Sequence, residues 1–235
     1  MERPLHESWE AEAQSWARWV RTPAHDEWHW RLNWPAFLEL LPRAGRLTLD
    51  IGCGEGRGGI ALRELGHRVV GVDAAPTMVE LARETGAYDT VHLADAAAVP
   101  LADGAVDLVV AYMSLHDIEE LGGTLRETAR VLEPGGHLCA AIVHPLASAR
   151  LGSEAEMAYF EPGHYTDVIE RDGIEMAFHG IHRPLEAYFQ ALHDAGLVVQ
   201  RLREPAPTDA DIAALPELAK VRRRPAFLHW LALRR

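Results

Sequence analysis

The run Leu49-Asp50-Ile51-Gly52-Cys53-Gly54-Glu55-Gly56 constrains this chain more than any other. It reads as a buried strand passing into a glycine loop, with an acid just ahead of the first glycine. Glycines in such a loop let the backbone approach a ligand closely and take turn angles that a side chain would block. The helix after the loop points its free N–H groups at whatever sits there.

The pattern around this loop alternates. Leu47 to Ile51 reads as a first strand and Arg57 to Leu65 as a helix stopped by Gly66. Val69 to Val72 is a second strand. Pro76 sits at a first helical position, and Gly86 ends that helix. Val91 to Ala94 and Val106 to Tyr112 are third and fourth strands, the latter with the unbroken apolar run Leu108 to Ala111 that a strand covered on both faces carries. Leu121, Leu125, Ala129 and Leu132 mark a helix face that Pro134-Gly135-Gly136 stops, and Leu138 to Val143 is a fifth strand. Such alternation predicts a parallel sheet with right-handed crossovers. A helix over Pro184 to Ala195 and strands at Leu197 to Leu202 and Phe227 to Leu233 follow.

Two regions break the pattern. Residues 1–44 precede the first strand and form an expected helical cap on a main domain of residues 45–235. They hold six of the seven tryptophans, and Trp30, Trp34, Phe37 and Leu41 fit one helix face. Residues 146–183 mix Gly, His, Tyr and acids without a clear period, which suggests a lid or binding segment.

Composition removes several classes. A net charge of -12 argues against nucleic acid as partner, because phosphate binding needs a basic face. The Arg222-Arg223-Arg224 run reads as a solvated turn. Lys220 is the only lysine, which excludes a Walker-type phosphate loop and leaves no basis for a lysine Schiff base. Cys53 and Cys139 are not placed as a disulfide framework. With no signal-like or membrane-spanning apolar run, a cytoplasmic location is expected.

The chemistry lies in a ladder of acids. Asp50, Asp73 and Asp95 fall at the carboxyl ends of three successive strands, the edge where open α/β sheets bind ligands. Asp73 suits a pair of ribose hydroxyls, and Asp95 suits an exocyclic adenine amine. On Asp50 to Gly56, Asp73, Asp95-Ala96, the Leu101 to Tyr112 block and Leu132 to Gly136, the chain resembles the class I S-adenosylmethionine-dependent methyltransferases, small-molecule type 11 branch. The close match covers residues 46–144.

The resemblance implies a Rossmann-like seven-stranded sheet with an antiparallel last strand, and S-adenosylmethionine as cofactor. It places Gly52, Gly54 and Gly56 at the methionine moiety, Asp73 with Ala74 at the ribose, and Asp95 and Ala96 at the adenine. Met78, Tyr112 and Met113 would lie beside the cofactor. His116-Asp117 stands where many relatives have a paired histidine or an aromatic, so a histidine-dyad base does not carry over.

Methyl transfer needs alignment above all, and a base only for an acceptor that holds its proton. His144 and His116, both at the ligand edge, are the candidate bases; each also fits as a loop histidine that bonds only its neighbours. Trp28, Trp30, Tyr165 and His182 are candidate substrate contacts, the tryptophans serving equally as core. His25 with His29, and His179 with His182, have the spacing of metal-ligand pairs but lack a third ligand at motif spacing, so no metal is expected. The acceptor read from this is an oxygen or nitrogen of a small molecule, by family analogy a specialised metabolite, handled by a monomer or homodimer. The alternatives are a nicotinamide-dependent oxidoreductase and a non-catalytic cofactor sensor.

Overall fold

The computed structural model describes residues 3–22, 24–152 and 158–235. At its centre β1 (Thr48–Ile51), β2 (Val69–Asp73), β3 (Thr90–Leu93), β4 (Val106–Tyr112) and β5 (Leu132–Val143) run parallel in the order 3-2-1-4-5. A hairpin of β6 (Gly163–Arg171) and β7 (Ile174–His182) stands apart. The sheet is completed to seven strands by β8 (Leu197–Arg203) and β9 (Phe227–Arg234), with β9 inserted antiparallel between β5 and β8. This is the Rossmann-like sheet with an antiparallel last strand that the motifs implied.

The helices are α1 (Leu5–Arg21), α2 (Trp34–Leu38), α3 (Arg57–Glu64), α4 (Pro76–Glu84), α5 (Leu121–Val131), α6 (Pro145–Ser148), α7 (Leu185–Asp194) and α8 (Asp209–Ala214). Strand residues alternate between two cores. Leu49, Ile51, Val109 and Ala111 face Leu125 of α5 and Tyr188 and Leu192 of α7. Leu108, Val110, Cys139 and Ala141 face Trp34 and Phe37 of α2 and Leu62 of α3. Double coverage is why β4 carries no polar alternation.

Three expectations change. Residues 1–44 do two jobs, since α2 and Leu40 belong to the core under the sheet while α1 lies above its ligand edge. The face expected to unite Trp30 with Trp34 and Phe37 is broken by a π-helical turn at His29–Asn33, leaving Trp30 49% exposed. Strand five begins at Leu132, not Leu138, so the Pro134-Gly135-Gly136 turn is absorbed in an irregular β4–β5 register. The unpatterned segment 146–183 contains α6 and the β6–β7 hairpin; its residues 153–157 lie outside the described ones. The hairpin turns at Asp172-Gly173, both at positive φ (52° and 75°), as a two-residue turn requires.

Candidate active site

The carboxyl ends of β1, β2 and β4 open into a cavity of about 580 Å³, roofed by α1, residues 24–33 and β6–β7. The floor is the glycine loop. Gly52 has φ 65°, and a Cβ on it would lie 2.5 Å from Ser114 Cβ, so only glycine lets the loop pass β4 there. Asp73 Oδ2 accepts from Gly54 N and Oδ1 from Ala75 N, both at 2.9 Å, which ties loop, β2 and the start of α4 together. A carboxylate has about four acceptor sites, so hydroxyls can still approach it. Burial raises the Asp73 pKa against these bonds. Asp95, past the end of β3, accepts from Ala97 N at 2.8 Å, with Ala96 buried beside it.

Asp50 is buried and accepts from Tyr88 Oη at 2.8 Å; burial first, and the neighbouring acids Asp73 and Glu55, push its pKa up to about 7. Tyr88 in turn accepts from Gly59 N at 3.0 Å, so Asp50 anchors α3 through the phenol. Gly56 (φ 96°) does not line the cavity; a Cβ on it would meet Ala82 and Thr85, and it packs the loop onto α4.

The roof is strapped down by polar bonds. Trp16 Nε1 donates to Glu55 Oε2 at 2.5 Å, and the Trp16 ring lies 5.0 Å from the Arg57 guanidinium. Arg57 pairs with Asp26 at 2.5 Å, Glu10 accepts from Thr77 N and Oγ1, and Leu5 N donates to Glu119. Behind them runs a buried chain in which Tyr112 Oη and His29 Nδ1 share a bond at 2.9 Å, and Asn33 Oδ1 and His229 Nε2 one at 2.7 Å. Burial, then the Arg57 charge, lowers the His29 pKa to about 2, so the imidazole stays neutral.

The expected site residues separate into two groups. Asp50, Gly52, Gly54, Asp73, Ala74, Met78, Asp95, Ala96, Tyr112 and Met113 line the cavity, as do His116, Trp28 and Tyr165. His116 is buried with no partner on Nδ1, and burial, then the Arg183 charge, lowers its pKa to about 3. His144, His182 and Trp30 do not line it. His144 Nδ1 accepts from Leu146 N at 3.0 Å as the α6 cap while Nε2 meets Glu204 at 2.9 Å. Both His182 nitrogens are engaged, Nδ1 with Ser148 Oγ (2.7 Å) and Nε2 with Tyr159 O (2.9 Å). Trp30 faces outward against His29. Reading missed Glu55, Arg57, Asp26, His29 and Asp117; only Glu55 and Arg57, set in the loop itself, had a local signal. Among the described residues no group of three or more His, Cys, Asp or Glu could hold a metal, and both cysteines are free.

The comparisons with known proteins agree with this geometry. Residues 49–140 match a methyltransferase domain family. An uncharacterized methyltransferase of Mycobacterium tuberculosis is 35% identical over 134 residues, 57% of this chain and 51% of that protein. A malonyl-[acyl-carrier protein] O-methyltransferase of Yersinia pestis is 37% identical over 92 residues, 39% of this chain and 34% of that protein. A crystal structure of an S-adenosylmethionine-dependent methyltransferase from Mesorhizobium loti superposes with a TM-score of 0.68 at 28% identity, covering 86% of this chain and 97% of that one. Over residues 49–140 the chain thus resembles the class I S-adenosylmethionine-dependent methyltransferases, type 11 branch. It spans about half the length of the first of these curated relatives.

The methyltransferase fold's cofactor fits the residues present. Glu55 Oε1, buried beside the loop, makes no hydrogen bond among the described residues; Arg57 Nε lies 3.8 Å from it, and its open acceptor sites suit an ammonium. The space above Gly54 is open, with Trp16 Nε1 the nearest atom to a built Cβ at 3.8 Å. Asp73 and Asp95 both line the cavity along the sheet edge. No helix among the described residues is long and apolar enough to cross a membrane.

Proposed function

We propose that this protein transfers the methyl group of S-adenosylmethionine to an oxygen or nitrogen of a small molecule held under the cap, a specialised metabolite by family analogy, in the cytoplasm. One observation carries the reading: a single cavity runs from the glycine loop and Asp73 to the roof residues Trp28 and Tyr165. A cofactor store would need only the floor; the space beneath the roof is where an acceptor would sit.

When bound, the sulfonium supplies an activated methyl group and a neutral leaving thioether. The chain's part is to bind and align, and alignment is worth several kcal/mol of barrier. Gly52 and Gly54 would admit the methionine moiety, Glu55 Oε1 its ammonium, Asp73 the ribose and Asp95 the adenine. The straps Trp16–Glu55 and Arg57–Asp26 hold the roof down and exclude water. His116, kept neutral by burial and with no partner on Nδ1, would accept a hydrogen bond from the bound acceptor.

Calorimetry with S-adenosylhomocysteine tests the cofactor, and release of labelled methyl into a small-molecule extract tests the transfer. Binding is expected at micromolar or tighter Kd. No heat of binding would overturn the reading, and binding without transfer to any extract component would favour a sensor.

A further inference from the structure

Under the roof one carboxylate stands alone. Asp117 follows β4 on the loop that carries His116, and its side chain is 17% exposed. Among the described residues its carboxylate makes no hydrogen bond, and the nearest basic side-chain atom is His116 Nε2, at 3.5 Å. Isolated buried carboxylates are costly and persist where a ligand completes them. The hairpin brings further groups to the same spot. Tyr165 on β6 pairs with Gly180 on β7, and a Cβ on Gly180 would lie 2.4 Å from Tyr165 Oη and 3.0 Å from Asp117 Oδ1. The missing side chain is what lets phenol and carboxylate converge. The next cross-strand pair, Asp167 with Phe178, adds a second acid and a ring on the same face. Phe178 and Trp9 each stand edge-to-face with Trp16, at 6.0 and 5.8 Å, and all three line the cavity. His116, buried with Nδ1 unpartnered, faces the same space.

No lysine or arginine of the described residues lies within 4 Å of either carboxylate, and carboxylates so placed, backed by aromatic rings, select a positively charged guest. Resting on the methyl-transfer reading, we infer that the acceptor is a small amine, held as its ammonium by Asp117 beside Tyr165 and walled by Trp9 and Phe178, and that Asp117 takes its proton. One N–H bond of the ammonium breaks and its proton passes to the Asp117 carboxylate. The freed lone pair forms the new N–C bond as the C–S bond breaks, and that bond's electrons stay on sulfur. The products are a methylated ammonium and a neutral thioether, and water removes the proton from Asp117. The groups that face Asp117 fit this task. Burial raises its pKa well above the usual carboxylate range, and Asp73 adds to this. Arg183 opposes it, with its NH2 nitrogen donating to Ile118 O and Glu119 O and the side chain outside the cavity lining. Tyr165 and Tyr188 remain neutral there, their own pKa values raised by burial. A raised carboxyl is a better proton acceptor than an ordinary one. An anionic acceptor would instead meet two carboxylates.

The test is calorimetry on the full chain saturated with S-adenosylhomocysteine, using matched probes: benzylamine against phenylacetate, phenethylamine against 3-phenylpropionate, and tryptamine against indole-3-propionate. At least one amine is expected to bind about tenfold or more tighter than its acid, and Asp117→Asn to remove that margin while cofactor affinity changes by less than about threefold. No amine outbinding its acid on the unmodified chain overturns the inference, and needs no variant. Amine binding untouched by Asp117→Asn overturns it too. So does a variant that loses only S-adenosylmethionine affinity, which would assign the carboxylate to the sulfonium. Failure of S-adenosylhomocysteine itself to bind would instead strike the methyl-transfer reading.

Discussion

The floor and the roof of the cavity are built by different means. The floor is backbone: glycine loop, strand ends, and an aspartate bonded to two N–H groups within 25 residues of chain. The roof is side chains from distant segments, tied by Trp16–Glu55, Asp26–Arg57, Glu10–Thr77 and His25–Asp172. Backbone geometry tolerates few sequences, whereas side-chain straps can be exchanged for others. The floor is therefore the part that local motif spacing specifies, and the roof the part that only tertiary contacts specify.

The largest effect should come from residues that look like roof in sequence and are core in space. Phe37 is fully buried under the sheet. Phe37→Ala is expected to cost about 3–5 kcal/mol of stability, and Trp30→Ala less than about 0.5. Denaturant titration of both variants checks the division; equal losses would return 34–41 to the cap.

Asp73 comes next. Asp73→Ala removes the acceptor for Gly54 N and Ala75 N and the anticipated ribose contact. Affinity for S-adenosylhomocysteine should fall more than about tenfold, about 1.4 kcal/mol or more. Unchanged affinity by calorimetry would take the floor out of cofactor binding. Trp16→Phe keeps the ring and deletes one donor to Glu55. Stopped-flow release of S-adenosylhomocysteine should speed up by about tenfold or less, roughly the worth of one charge-assisted bond. An unchanged rate would make this strap decorative.

The same contrast explains what the sequence disclosed. Strands β1, β2, β4 and β5 were legible because both faces are buried over most of their length, and the exposed edge strand β3 because glycine, proline and acid recur at fixed steps around it. Asp50, Asp73 and Asp95 could be placed from those steps alone. The β6–β7 hairpin was hidden because its cavity face is itself polar, with Tyr165, Asp167 and Arg171 where a core strand would be apolar. The Asp172-Gly173 turn was its one clear mark. His144 and His182 have loop positions that suit catalysis, yet a helix cap and a Ser148–Tyr159 clasp occupy them; only tertiary contacts reveal that. Arg57 and Asp26 are 31 residues apart, and no local rule pairs them.

The smallest effect probes the floor's own strain. Asp50 is buried with a pKa of about 7 against an unfolded value of about 3.9, so between these the folded state holds more protons. Stability from this group is then full below about pH 4 and is lost as pH rises to about 7. Asp50→Asn keeps an acceptor for Tyr88 Oη and no longer ionises. The variant should match the parent at pH 4 and become the more stable of the two as pH rises to 8, where the parent must bury a charge near Asp73 and Glu55. Saturating S-adenosylhomocysteine, whose ammonium can offset that charge, should shrink the gain. A gain that is independent of pH would show that Asp50 titrates like an ordinary carboxylate, and that the floor, like the roof, is held by the bonds it makes rather than by the water it excludes.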